Sequence, residues 1–232
     1  MTVRRILPAM SLPLLLALSL GGCSLLPGAP APTPEPSATL EVDLSAMERR
    51  MAQVLPQASG DFETYRTTGL DEITFGTGWD VHDDVRLARV LNEFESAGWA
   101  DSSLGPGFTV LFELVLMEST LAADAVMNDL AASTREPYTI ESTGPDVAEY
   151  QYSPAQPSGR WPIGTVEQER RMTWPTGERA SGWIVWGASG PFVFVVSAAA
   201  VPEEASIAAM DAFADEHAAG FLERIEQLRA EL

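Results

Sequence analysis

The sequence predicts an α+β fold: a two-layer sandwich in which a twisted antiparallel sheet, built within residues 43–232, carries helices packed on one face. Three observations lead there. In residues 107–117, Phe108, Val110, Phe112, Leu114 and Leu116 alternate with Thr109, Leu111, Glu113, Val115 and Met117, the period of a strand with one face in the core. The last third reads as a three-stranded meander (166–174, 182–188 and 192–199), broken by Pro175-Thr176-Gly177-Glu178 and Ser189-Gly190-Pro191, both turn-forming. After it, Pro202 and Ser206 open a long helix to about residue 230. Its stripe of Ile207, Met210, Phe213, Phe221, Ile225 and Leu228 needs a sheet to cover.

The other elements follow in chain order. A first helix over 44–55 is marked by the capping-box spacing of Ser45 and Glu48 and by Leu44, Met47, Met51, Val54 and Leu55 on one face, with Pro56 stopping it. The next 25 residues are rich in Gly and Thr, with one short strand at 72–75. Asp83 or Asp84 is expected to cap a second helix whose stripe is Leu87, Leu91, Phe94 and Ala97, ended by Gly98. A third helix spans 120–132, with Ser119 as cap and Ala122, Val126, Met127 and Leu130 inward. Pro and Gly then dominate 137–164, interrupted by strand-like pieces at 138–141 and 147–152. An aromatic strand followed by an alanine-rich helix occurs twice, from Gly107-Phe108-Thr109-Val110 and from Pro191-Phe192-Val193-Phe194, which suggests two related halves.

The N-terminus has its own pattern. Arg4 and Arg5 precede an apolar run from Ile6 to Leu20, interrupted by Pro8 and Pro13 and shorter than the ~20 residues of a spanning helix. It ends in Leu20-Gly21-Gly22-Cys23, and Cys23 is the single cysteine of the chain. These residues resemble the lipobox of bacterial lipoproteins. The resemblance implies that residues 1–22 are a signal peptide and that Cys23, diacylated on sulfur, becomes the mature N-terminus. Two acyl chains suffice for stable membrane attachment. Residues 24–40 hold five prolines among 17 and read as an extended tether of at most roughly 50 Å. Residues 23–42 would then hold a single domain, 43–232, clear of the lipid on the extracytoplasmic face of the cell membrane. In its order of elements this domain is similar to small α+β lipoproteins and extracytoplasmic sensor-type domains of high-GC Gram-positive bacteria. That likeness carries no residue motif and implies no site residues.

Composition narrows the chemistry. Without Arg4 and Arg5, 12 arginines face 33 Asp and Glu, a net charge of −21 that repels nucleic acid and anionic head groups. Attraction to cations or a basic partner fits the same field. Lysine is absent, which removes Walker loops, Schiff bases and serine–lysine dyads. With Cys23 acylated, thiol nucleophiles, disulfides and cysteine metal sites drop out too.

Each candidate constellation has an ordinary structural use. Asp80-Val81-His82-Asp83-Asp84 is dense in oxygen ligands but lacks the spacing and central glycine of a calcium loop, and fits helix capping better. His217 lies between Phe213 and Phe221 on an apolar stripe, the place of a boundary residue. Gly187-Ala188-Ser189-Gly190 precedes another strand, so Ser189 sits in a hairpin turn, not a nucleophile elbow. Alternation puts Glu113 on the less apolar face of its strand, pointing outward, and the charges of Glu167, Glu169, Arg170 and Arg171 fit cross-strand pairing on a solvated sheet. Trp161, Trp174, Trp183 and Trp186 gather aromatics near the Pro/Gly-rich segment. Trp183 and Trp186 are an odd number apart, so one faces the core and one faces out. Trp161, Trp183 and Trp186 are therefore the candidate ligand-binding residues, for a glycan or a partner surface.

The sequence thus reads as a non-enzymatic binding or scaffolding module of the cell envelope, with no catalytic residues, metal or cofactor. Its partners are the membrane through its anchor and an envelope protein, a glycan or an apolar ligand, and not nucleic acid. Two other readings remain open at this point: a carrier of an apolar ligand between sheet and helices, and a carboxylate-dependent hydrolase with two inward carboxylates ~5–10 Å apart.

Overall fold

The computed structural model describes residues 42–57, 62–69, 85–141, 149–161 and 164–232. In chain order these form α1 (Leu44–Val54), β1 (Phe62–Thr68), β2 (Arg86–Ser96), α2 (Ala97–Ala100), β3 (Phe108–Met117), α3 (Thr120–Ser133), β4 (Tyr138–Glu141), β5 (Glu149–Tyr152), β6 (Gln156–Pro157), β7 (Val166–Thr173), β8 (Arg179–Ser189), β9 (Phe192–Ala200) and α4 (Glu204–Arg229). The strands make one antiparallel sheet in the order β1-β2-β3-β9-β8-β7-β5-β4, with β6 paired to β7. The α+β class is as the sequence predicts.

Most elements lie where periodicity puts them, and their caps explain the ends. Ser119 accepts the Ala122 N–H at 3.1 Å and starts α3. At α1 the cap is Asp43, which accepts from Ala46 N at 3.1 Å, in place of the Ser45–Glu48 box. Glu203 precedes α4 without a side-chain cap bond, and Ser206 Oγ instead accepts the Gly107 N–H at 3.0 Å, tying the helix start to β3. The segment expected as a second helix is the strand β2, and only Ala97–Ala100 beyond it is helical. Leu87, Leu91 and Phe94 have helical spacing by coincidence. β2 carries Arg86, Arg89, Asn92, Glu93 and Glu95 among its apolar residues, and buried Arg89 and Asn92 break the alternation that marks a strand. The expected strand at 72–75, the Asp80–Asp84 cluster with His82, the signal segment, Cys23 and the tether lie outside the described residues.

The central pair β3 and β9 is buried along its whole length. On one face Phe62, Phe94, Phe108, Phe112 and Phe194 meet Phe213 and Phe221 of α4, and ring centroids 4.8–6.3 Å apart make a continuous aromatic layer. Met47, Met51 and Val54 of α1 join this core, and Arg224 Nε of α4 donates to the Val54 carbonyl at 2.8 Å, closing the end of α1. Gly187 is glycine for a packing reason: the Phe194 ring crosses its Cα, and a Cβ there would lie 2.2 Å from the ring.

α1 and α4 share one face, as expected, but α3 covers the other. Its Ala123, Val126 and Leu130 pack on Val115, Met117, Val193, Val195 and Trp186. The reason is that β3 and β9 are apolar on both sides and one helix layer leaves the second side wet. The repeated strand-helix order is therefore not a simple repeat. β1-β2-β3 and β7-β8-β9 mirror each other about the centre of the sheet, yet α3 and α4 lie on opposite faces, so no single two-fold axis relates the halves.

The outward expectation for Glu113 is corrected by the same double cover. Its carboxylate is buried and accepts from Arg89 Nε, itself 1% exposed. Burial pushes the Glu113 carboxyl up, and the Arg89 guanidinium pulls it part of the way back.

Phe213 touches Phe62, Phe94 and Phe108 at once. Phe213→Ala is expected to cost ~3–5 kcal/mol in urea denaturation, whereas Leu121→Ala on the exposed side of α3 changes stability by less than ~0.5 kcal/mol.

Candidate functional site

On the α1/α4 face α1 packs on β2, and α4 packs on β3, β9 and β8. Beyond them β7 and β5 line an open cleft of about 520 Å³ against the first turns of α4. Period 2 along β7 decides what it contains. Glu167, Glu169 and Arg171 point into the cleft and register with Val185, Trp183 and Ser181 of β8, while Gln151 of β5 pairs with Arg171. Ile207, Met210 and Asp211 of α4 form the opposite wall. The alternate residues Gln168, Arg170 and Met172 are buried on the far face. The expected solvated face holds for one side of β7, but the expected cross-strand charge pairing does not, since Glu167, Glu169 and Arg171 register with uncharged residues. Arg170 is buried, its Nε has no hydrogen-bond partner among the described residues, and burial pushes its guanidinium below the usual arginine range.

One wall is closed by a clamp that bridges 51 residues of sequence. Arg160 Nη1 donates to Asp211 Oδ1 at 3.0 Å and to Asp215 Oδ1 at 3.3 Å, two carboxylates one helical turn apart. The same guanidinium lies 4.8 Å over the Trp183 ring, and Trp183 Nε1 donates to Asp211 Oδ1 at 2.9 Å. Asp211 therefore joins the 158–161 loop, β8 and α4. Burial alone would depress the Arg160 guanidinium, but Asp211 and then Asp215 outweigh it and hold it above its ordinary value. Ser158 Oγ donates to Glu167 Oε2 at 2.9 Å and anchors the near end of the loop on β7.

The structure brings two of the three expected ligand-binding tryptophans together. Trp161 meets Trp183 edge to face at 5.6 Å beside the cleft. Trp186 lies on the other face beneath α3, away from it. The expectation that one of Trp183 and Trp186 faces outward is corrected: they are 5% and 1% exposed, because helices cover both sides of β8. Ser189 ends β8 at a hairpin and donates to Glu226 Oε1 of α4, a structural bond. His217 packs edge-on to Phe213 at 4.4 Å and over Phe94 at 6.4 Å, at the edge of the aromatic layer. Sequence reasoning missed Arg160, Asp211 and Asp215. The i, i+4 carboxylates on α4 were the available signal, but nothing in the chain says which arginine reaches them.

The cleft holds both signs of charge, an arrangement suited to gripping a polar group. Among the described residues no three His, Cys, Asp or Glu side chains are placed to hold a metal ion, and no helix is long and apolar enough to cross a membrane.

No family model matches the sequence, and no curated protein matches it. A solved structure does resemble the fold: the extracellular domain of PknH from Mycobacterium tuberculosis, with a TM-score of 0.54 at 11% identity, over 78% of this chain and 96% of that one. The expected likeness to extracytoplasmic domains is met at the level of fold, and at this identity no residue role carries over.

Arg160→Ala is expected to speed amide exchange across 158–161 and 164–166 while lowering global stability by less than ~1 kcal/mol, because the pairs are part-exposed. Slow exchange retained in that loop counts against the clamp.

Proposed function

We propose that this chain is a lipid-anchored, extracytoplasmic, non-enzymatic binding module, and that its cleft between α4 and β5-β7-β8 grips a polar segment of another envelope protein. The observation that carries the reading is the cleft itself, where Glu167, Glu169 and Arg171 alternate along one strand opposite Asp211 and the Arg160 clamp. Such a surface offers donors and acceptors in a row and suits a peptide with charges of both signs. The lipobox at Leu20-Gly21-Gly22-Cys23 and the proline-rich tether support placement at the membrane surface, with the likeness to an extracellular domain in keeping.

Two other readings fit less well. A carrier of an apolar ligand needs space between sheet and helices, and the phenylalanines of both layers fill it. A carboxylate-dependent hydrolase needs a carboxyl group free to give up a proton. Asp211 instead accepts from Trp183 and Arg160, and Glu167 accepts from Ser158, which leaves exposed Glu169 without a second free carboxyl in the cleft to pair with.

Two measurements test the proposal. Cys23→Ala is expected to move the protein from the membrane fraction to the soluble one, and retention in the membrane fraction opposes the anchor. A benzophenone side chain at position 169 is expected to crosslink a protein in intact cells, while one at the exposed position 124 on α3 does not. Equal labelling at both positions, or none at 169, rejects the cleft as the docking surface.

A further inference from the structure

A second cleft, of about 570 Å³, opens where β7 ends, β8 begins and the chain turns into α4, and it contains neither Trp161 nor Trp183. Its aromatic wall is Trp99 of α2 and Trp174 just after β7, ring centroids 6.0 Å apart at 70°. Both indoles rest on Met172, Ala180 and Ala199, on the sheet face turned away from α4. We propose that this cleft binds a neutral saccharide, with the two indoles as its stacking platform.

The indoles are held in place by backbone. Trp174 N donates to Glu178 O at 3.0 Å and Gly177 N to Trp174 O at 2.9 Å, so the turn between β7 and β8 fixes one ring. α2 is pressed onto the start of β3 where Gly98 and Gly107 meet main chain to main chain. A Cβ on Gly107 would lie 2.5 Å from the Gly98 carbonyl oxygen. Trp99 follows directly. A platform already rigid before binding saves the ordering cost that weakens most small-ligand sites.

The rings are half-buried, and among the described residues no acceptor takes the indole N–H of either Trp99 or Trp174. The edge-to-face pair therefore offers ring surface for weakly positive sugar C–H groups and N–H donors for hydroxyls. Around them, exposed Glu178 and Glu203 supply acceptors and exposed Arg179 supplies donors. Asp101 is already engaged by the Ser103 N–H at 3.0 Å. The mixture selects the ligand class. A cation meets Arg179, an anion meets the carboxylates and a chain with net charge −19, and a polyol ring whose hydroxyls both donate and accept meets no penalty. The volume lies within the ~300–1,000 Å³ of small-molecule sites. This proposal does not depend on the function proposed for the first cleft.

The test uses the full-length protein in detergent and three probes: maltotriose, chitotriose and an arabinose trisaccharide, with trilysine as a competing chemistry. At least one trisaccharide is expected to bind in titration calorimetry and to shift the indole N–H resonances of Trp99 and Trp174 but not that of Trp161. Trp174→Ala and Trp99→Ala are expected to weaken binding by about tenfold or more, and Trp161→Ala to leave it unchanged. Because the resonance shifts are read on the unsubstituted protein, they decide the matter even if an alanine variant fails to fold. Binding of none of the three sugars, shifts at Trp161 in place of Trp99 and Trp174, or preference for trilysine overturns the proposal.

Discussion

Everything in this domain depends on β3 and β9 being buried along their full length and on both faces. A strand pair at the centre of an antiparallel sheet can satisfy its backbone through neighbours, but its side chains need cover above and below. One face is covered by α1 and α4 with an interlocked set of phenylalanines, the other by α3. The requirement also reaches individual positions. Glu113, in the middle of β3, has no route to water and is tolerated because β2 brings Arg89 beside it. Gly187 leaves room for the Phe194 ring of the neighbouring strand.

The two clefts follow from where that cover stops. The sheet runs on through β8, β7, β5 and β4, while α4 packs on β3, β9 and β8. A sheet wider than its helix layer exposes a strand face beside a helix wall, which is the geometry of the cleft at Glu167, Glu169 and Arg171. At the strand ends, short α2 and the turn between β7 and β8 rise beside the sheet and leave the Trp99–Trp174 recess between them. The first hollow reaches the core at Trp183 and Met210, and the second lies over the strand ends. Both are margins of the cover, so binding there need not disturb the packing that stabilises the domain.

This division also explains what the sequence made legible. β3 and the meander are runs rich in β-branched and aromatic residues bounded by turns, and α3 and α4 carry apolar stripes at helical spacing, so local pattern is enough to find them. β2 was illegible because Arg89, Asn92, Glu93 and Glu95 interrupt its apolar residues, and the helical spacing of Leu87, Leu91 and Phe94 filled the gap. Trp183 and Trp186 were placed on opposite faces correctly, yet the exposure of one did not follow, since nothing local says that α3 crosses to the second face. The clamp of Arg160 on Asp211 and Asp215 depends on a contact across 51 residues, and the Trp99–Trp174 pair on one across 75. Long-range pairings of this kind are set by topology, which period and composition do not encode.

The absence of lysine gives the clefts their chemical character. Arginine is the sole strong cation in the chain, and its planar fork suits bonds that hold elements together. Arg66 donates to Asn92, Arg89 to Glu113, Arg224 to the end of α1, and Arg160 to two aspartates of α4. With 14 arginines against 33 acids, the chain as a whole is strongly negative. Arg171 and Arg179 are among the exposed arginines, and each lines one of the two clefts. A guanidinium in a hollow surrounded by carboxylates makes that hollow locally mixed in sign on an otherwise acidic body. Cationic molecules are then drawn to the general surface and anionic ones are repelled from it. Ligands that present donors and acceptors together, whether a charged peptide or a sugar, are the ones that gain most inside the clefts.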